Sequence, residues 1–125
     1  MILHLVFFKF NEPFQWCDDE VIDAEASTRQ HPLHIEEIKG WVCGRNVSQR
    51  KRAVDFTAVG LFESQETLSV FLNHPNHLQG VVKWQKIATW QVVDVEVGSD
   101  TTLFYGLLNK WVAKGLTPVD ELKVS

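Results

Sequence analysis

Cysteine is scarce in this sequence, which contains only Cys17 and Cys43 among 125 residues. The two lie far apart and belong to no C-x-x-C pair, which is typical of free thiols in a reducing compartment. The chain opens at Met1 directly into a strand-like segment, without a basic leader and an apolar core, so we expect no signal peptide. Together these absences predict a cytoplasmic protein.

Long apolar runs and excess positive charge are absent as well. No stretch approaches the roughly 18 uninterrupted apolar residues of a membrane helix, so we expect no membrane partner. The formal net charge is -4, and the one basic cluster, Arg50-Lys51-Arg52, adjoins no aromatic stacking platform. We interpret the cluster as a solvated turn and expect no nucleic-acid partner.

The sequence also lacks the common motifs of cofactor and nucleophile chemistry. It has no glycine-rich phosphate loop and no G-x-S-x-G elbow, and neither cysteine has the surroundings of a catalytic thiol. His74 and His77 lie three residues apart at a predicted helix start, where both side chains can point the same way, but no third metal ligand accompanies them. We therefore expect neither a cofactor nor a metal.

The segments that are present follow the order β-α-β-β-α-β. Apolar or alternating patterns predict the strands, and amphipathic patterns with capping residues predict the helices between them. The predicted strands are residues 2–10, 38–45, 54–63 and 90–97, and the predicted helices are 18–30, ended by His31-Pro32, and two pieces between 64 and 84 that meet at Pro75. This order predicts an α+β fold, the ferredoxin-like antiparallel sheet with helices on one side.

The first and third predicted strands are apolar on both faces. In residues 2–10, for example, Val6 and Phe8 lie on one face, whereas Leu5 and Phe7 lie on the other. Helices on one side of the sheet can cover only one face, so the other face needs an equally apolar partner. The simplest partner is the same sheet of a second copy, and we therefore predict a homodimer that packs sheet to sheet.

Residues 99–125 form a predicted helical extension to a domain that spans residues 1–98. Apolar residues recur in this extension at helical spacing, and Gly115 can end the helix beside two lysines. We expect this helix to pack on its own dimer. An additional contact or a lid over a ligand is the alternative.

Two histidines lie at the junction of the helices that follow the third strand. Ser64 begins the first of these helices, with Thr67 where a capping box would have its acid, so we expect an incomplete box. Pro75 ends that helix and begins the next, with His74 as its cap and His77 two residues into it. A helix dipole disfavours the protonated imidazole near the N-terminus, which predicts a neutral His77 that can accept a proton next to a carbonyl group.

His4 is the second candidate catalytic residue. It lies on a strand face otherwise filled by valine and phenylalanine, so it must be hydrogen-bonded or line a pocket. An enzyme of proton-transfer chemistry would use His77 as general base and His4 to orient the substrate. A small apolar or aromatic ligand would then contact the remaining candidates, which are Phe8, Phe71, Trp84 and His74. The alternative is a non-catalytic homodimeric domain in which the histidines are structural and the output is stability, ligand sequestration or assembly.

A series of short motifs over residues 2–97 carries a family resemblance. In chain order they are His4-Leu5-Val6, Phe8-Lys9-Phe10, Gly44-Arg45-Asn46-Val47-Ser48, Asp55-Phe56-Thr57-Ala58-Val59, Phe62-Glu63-Ser64, His74-Pro75-Asn76-His77 and Val93-Asp94. In order and spacing they resemble the stress-responsive A/B barrel (Dabb) family of the dimeric α+β barrel superfamily. The chain departs from the family pattern around His31-Pro32-Leu33-His34 and beyond Gly98.

The resemblance implies a barrel formed by two chains that pair sheet to sheet, and a small-ligand-binding or structural role without an assigned activity. One plant relative is a polyketide cyclase that uses a histidine and a tyrosine. By motif, its histidine corresponds to His77 and a second pocket histidine corresponds to His4, whereas the tyrosine position is Phe71 in this chain. The phenolic proton donor of that cyclase is therefore missing here.

Overall fold

Four strands form one antiparallel sheet in the computed structural model, which describes residues 1–98. The strands are β1 (Ile2–Phe10), β2 (Gly40–Arg45), β3 (Phe56–Phe62) and β4 (Ala88–Glu96), and their order across the sheet is β2-β3-β1-β4. In the central strand β1, His4 lies opposite Gly60 of β3 and Asp94 of β4. The helix predicted within residues 99–125 lies outside the described residues.

The helices connect these strands and cover one face of the sheet. They are α1 (Asp19–Arg29), α2 (His31–His34), α3 (Gln65–Asn73) and α4 (Pro75–Gln85). Their buried apolar side chains share one core with the sheet, and those that the helices contribute include Val21, Ala24, Leu68, Phe71 and Trp84. This is the ferredoxin-like α+β fold that the order of elements predicts. Within residues 1–98, no helix combines the length and the apolar character needed to cross a membrane.

A short helix replaces the predicted stop after α1. α1 ends at Arg29, one residue before the predicted end at Gln30, but His31-Pro32 does not end helical structure, because α2 begins immediately. Proline is tolerated in the first turn of a helix, where its missing N–H would have no intrahelical partner. The turn buries His31, which is 3% exposed.

The α3 and α4 N-termini are both capped by side chains. The backbone N–H of Thr67 donates to Ser64 Oγ at 3.3 Å, and the backbone N–H of Ser64 donates to Thr67 Oγ1 at 3.1 Å. The capping box is therefore complete, and the prediction of an incomplete box was wrong, because a threonine hydroxyl can accept the hydrogen bond that a carboxylate usually accepts. At α4, His74 Nδ1 accepts from the N–H of Asn76 at 3.1 Å, which confirms the predicted cap.

Glu25 ties α1 to β2. Its carboxylate is buried and lies 2.6 Å from Arg45 Nη2 and 3.1 Å from Arg29 Nη2. The hydrogen bond from Arg45 is the largest cause that lowers the pKa of Glu25, and burial opposes it. The Arg45 guanidinium also lies 4.1 Å from the ring centroid of Trp16, which anchors the segment before α1.

The other face of the sheet is apolar and open among the described residues. Val93 and Val95 of β4 are 44% and 40% exposed. Neighbouring side chains on β1 and β3 are partly exposed, and they include Leu3, Leu5, Phe7 and Val59. The prediction that the central strands are apolar on both faces is therefore confirmed.

Candidate functional site

A cavity of about 110 Å³ lies between the helices and the helix-covered face of the sheet. Its walls are mostly aromatic and aliphatic, and three histidines contribute to them: His4 from β1, His31 from α2 and His77 from α4. The predicted ligand contacts Phe8, Phe71 and Trp84 also line it. Residues that are distant in sequence therefore meet in one space.

His4 is held by the strand next to it. Its Nδ1 lies 2.5 Å from Asp94 Oδ1, and the two residues are direct partners across β1 and β4. A carboxylate accepts hydrogen bonds, so Nδ1 carries a proton, and the neutral form of the ring has its lone pair on Nε2. His4 is thus both hydrogen-bonded and part of the cavity wall, the two roles that the sequence predicts as alternatives.

His77 is held by the end of α3. Its Nδ1 donates to the backbone carbonyl of Leu72 at 3.0 Å, which again leaves Nε2 with the lone pair. Burial lowers the pKa of His77 to about 4, a backbone hydrogen bond opposes this effect, and the nearby His31, His4 and His74 lower the pKa further. This low pKa agrees with the predicted neutral state, but its main cause is burial, whereas the prediction rested on the helix dipole.

His31 is the functional candidate that the sequence patterns did not reveal. Its Nδ1 donates to Asn76 Oδ1 at 2.7 Å, and burial is the first cause that lowers its pKa. The ring lies against Gly80, where an added Cβ would be 3.1 Å from its Cε1 and 3.2 Å from its Nε2. Its centroid is 5.7 Å from that of His77. The buried His31 and the partly buried His77, whose pKa values are both lowered, therefore stand side by side.

The second ring nitrogen of each histidine opens onto the cavity. Within residues 1–98, no fully buried side-chain nitrogen or oxygen lacks a hydrogen-bond partner. The Nε2 atoms of His4, His31 and His77 make no hydrogen bond, so each must reach open space. All three side chains line the cavity, so it is the space that these ring nitrogens can reach.

Aromatic rings fill the space around these histidines. The Phe71 centroid is 4.4 Å from His77, 5.7 Å from His4 and 6.0 Å from His31. Phe8 stacks on Trp84 with centroids 4.0 Å apart. A ligand in the cavity would therefore meet flat apolar surfaces as well as imidazole nitrogens.

His74 and the cysteines lie outside this chemistry. His74, a predicted ligand contact, is not among the residues that line the cavity, because its ring caps α4. Burial raises the pKa of the Cys43 thiol to about 12, which makes it unreactive. No group of three or more histidine, cysteine, aspartate or glutamate side chains in the described part of the chain is arranged to hold a metal ion.

A family model described as the Stress responsive A/B Barrel Domain matches residues 2–97. The chain belongs to this family. An uncharacterized protein of Streptomyces coelicolor is 34% identical over 96 residues, which cover 77% of this chain and 99% of that protein. The resemblance inferred from the motifs is thus confirmed, and the relative leaves the activity open.

Two solved structures illustrate the range of proteins with this fold. A dimeric ferredoxin-like protein of unknown function from Thermobifida fusca has a TM-score of 0.68 and 18% identity, and the match covers 77% of this chain and 90% of the other. A hydroxynitrile lyase from Passiflora edulis has a TM-score of 0.67 and 14% identity, with 78% and 94% covered. At these identities the likeness shows the fold alone.

The site of this stress-responsive A/B barrel domain combines expected and unexpected residues. His4 and His77, which the family resemblance implies as site residues, both line the cavity, and the Phe71 ring, which has no hydroxyl group, has its centroid 5.7 Å and 4.4 Å from theirs. His31 lies in the segment around residues 31–34, for which the sequence predicts a departure from the family pattern.

Proposed function

We propose that this chain binds one small, largely apolar molecule in the cavity and that His77 Nε2 accepts a hydrogen bond or a proton from it. The observation that carries the proposal is the state of His77: a neutral imidazole whose Nδ1 proton is held by the Leu72 carbonyl and whose Nε2 faces an apolar cavity. Such an arrangement orients the lone pair in advance. His4, fixed by Asp94, orients the ligand from the sheet side.

The size of the cavity supports a ligand of about one aromatic ring. An apolar cavity of roughly 150 Å³ holds benzene, and this cavity measures about 110 Å³. A single-ring compound or a small aliphatic molecule matches this space better than an extended polyketide chain does. Phe8, Phe71 and Trp84 would supply the flat contacts.

Ligand binding is tested by thermal-shift and calorimetric titration with single-ring compounds. The matched variant is His77→Asn, because the asparagine amide can still donate to the Leu72 carbonyl while the Nε2 acceptor is lost. We expect the wild type to be stabilised by at least one compound and His77→Asn to bind it several-fold more weakly. Equal binding by both proteins would contradict the role of His77.

Catalysis by His77 as a general base is the second candidate function. The neutral imidazole favours it, and a hydroxynitrile lyase with the same fold shows that the fold can support an enzyme. The test is exchange of the protons next to the carbonyl group of small ketones and aldehydes in D₂O, followed by NMR. If His77 is the base, His77→Asn lowers the exchange rate by about 100-fold or more. If the wild type binds these compounds without accelerating exchange, the protein is a binding module.

We also propose that the chain acts as a homodimer. The apolar face with Val93 and Val95 is too exposed for a lone domain, and the Thermobifida fusca structure with this fold is dimeric. Sedimentation should give the mass of two 14.4 kDa chains. Val93→Asp should shift the mass to one chain, whereas Leu33→Asp, at a residue that is 80% exposed on α2, should not. A wild-type mass of one chain would refute the dimer.

The two free cysteines support a reducing location, and we propose the cytoplasm as the site of action. Imaging of a tagged full-length chain tests this assignment. Fluorescence confined to another compartment would contradict it.

A further inference from the structure

The walls of the cavity offer far more hydrogen-bond acceptors than donors. Three imidazole Nε2 lone pairs open onto it, from His4, His31 and His77. Each tautomer is set by an acceptor on the opposite side of the ring: a carboxylate, a side-chain amide oxygen and a backbone carbonyl, respectively. Each neutral ring therefore presents its Nε2 to a ligand as an acceptor.

The polar donors in the same walls are already engaged. The indole N–H of Trp84 donates to Thr28 Oγ1 at 2.7 Å, and the indole N–H of Trp41 donates to the Thr28 carbonyl at 3.1 Å. The Thr28 hydroxyl in turn donates to the Ala24 carbonyl at 3.1 Å. Among the described side chains that line the cavity, the indole N–H of the partly exposed Trp90 is therefore the donor that remains for a ligand.

His31 is the member of the trio with no role in the proposed function. It is 97% buried, so its unpaired Nε2 has no route to bulk water other than the cavity. Since no fully buried side-chain nitrogen within residues 1–98 lacks a partner, this Nε2 reaches open space, where a donor from a ligand can give it the hydrogen bond that it lacks. Gly80 packs against the Cε1–Nε2 edge of the ring, and the absence of a side chain there leaves room for the ring, because a Cβ would lie 3.1 Å from Cε1 and 3.2 Å from Nε2.

We propose that His31 contacts the ligand directly and that the three imidazole acceptors select small hydroxyl-bearing compounds, such as phenols, over apolar or anionic compounds of the same size. This inference rests on the proposed function, since it assumes that the cavity binds a ligand. A hydroxyl group donates to a lone pair that is otherwise unpaired. A carboxylate would bring further lone pairs into a site that has no cation to receive them, and its loss of hydration would not be offset.

The experiment compares phenol, toluene and benzoate by calorimetry on the full chain and on His31→Phe. Phenol and toluene have similar size and differ in the donor, whereas benzoate adds a charge. We expect phenol to bind the wild type and benzoate to bind at least tenfold more weakly. In His31→Phe, the preference for phenol over toluene should fall about fivefold, the value of one hydrogen bond.

A second measurement needs no variant and therefore does not depend on the folding of His31→Phe. In ¹⁵N-detected imidazole spectra of the wild type, phenol should shift the His31 Nε2 resonance and toluene should not. If phenol and toluene bind but the preference is unchanged in His31→Phe, or the resonance does not move, the role of His31 is refuted while the proposed function stands. Tighter binding of benzoate than of phenol also refutes the selection. If none of the three compounds binds the wild type, both proposals fail together.

Discussion

Acidification should destabilise this protein through His77, and the size of the effect follows from its burial. The pKa of His77 is about 4 in the folded chain, against 6.5 for an ordinary histidine. Between these values the unfolded chain binds a proton that the folded chain does not bind. Stability is therefore fully present above about pH 6.5 and is lost as the pH falls toward 4. At about 1.4 kcal/mol per pKa unit, the loss reaches about 3 kcal/mol.

The perturbation that isolates this contribution is His77→Asn, which keeps a donor for the Leu72 carbonyl and removes the titrating ring. Urea unfolding, followed by tryptophan fluorescence at fixed protein concentration, gives the free energy of unfolding at pH 7, 6, 5 and 4. The wild type should lose about 3 kcal/mol more than His77→Asn between pH 7 and pH 4. Leu78→Asn, at the neighbouring residue, which is 47% exposed and carries no titrating group, is the control and should keep the wild-type pH dependence.

Two results would refute this reasoning. One is an equal loss of stability in wild type and His77→Asn, which would mean that His77 does not titrate differently in the two states. The other is an NMR titration of the folded protein in which His77 has a midpoint near 6.5. Burial also lowers the pKa of His31, so a parallel His31 variant should reduce the acid sensitivity in the same direction.

Three further predictions concern stability, each measured by urea unfolding at pH 7. Gly60→Ala should lower the free energy of unfolding by about 1 to 3 kcal/mol, because its Cβ would lie 2.8 Å from two buried aromatic rings. Gly44→Ala is the control: a Cβ there would have no atom within 4 Å, so the free energy of unfolding should change by no more than about 0.5 kcal/mol. Glu25→Gln should lower the free energy of unfolding by only about 1 kcal/mol, because the arginine partners are 44% and 47% exposed and water screens both ion pairs. The difference from wild type should shrink as the pH falls below 4.5, because the Glu25 carboxylate, whose pKa is lowered, then becomes protonated. Ser64→Ala should cost about 1 kcal/mol by removing the α3 cap, and an unchanged midpoint would argue against the capping box.

The fold could be predicted because its strands carry simple patterns. β1 has the predicted bounds, and the observed order of elements is the predicted one apart from the short helix α2. The first residues of β2, β3 and β4 differ by two positions from the predictions, and β3 and β4 each end one residue earlier, because a pattern alone does not distinguish strand from turn at strand ends. The same patterns placed His4 and Phe8 on one strand face, and both line the cavity.

The parts of the site that could not be predicted depend on geometry beyond the local pattern. Asp94 meets His4 through the register between β1 and β4, which are 90 residues apart at that point. His31 was interpreted as part of a helix stop, because a His-Pro pair fits both the end of one helix and the start of another. Its partner Asn76 lies in α4, and no sequence signal links the two.

The low pKa of His77 bears on whether this protein only binds a ligand or also catalyses a reaction of it. A base with a pKa of about 4 takes up a proton reluctantly at neutral pH, and proton transfer is most efficient when the pKa lies near the working pH. An apolar ligand leaves this pKa low. A neutral hydroxyl group can donate a hydrogen bond to such a ring without giving up its proton. The low pKa of His77 is therefore consistent with the proposed binding of neutral hydroxyl-bearing compounds, and it makes binding a better match to this site than catalysis by proton transfer.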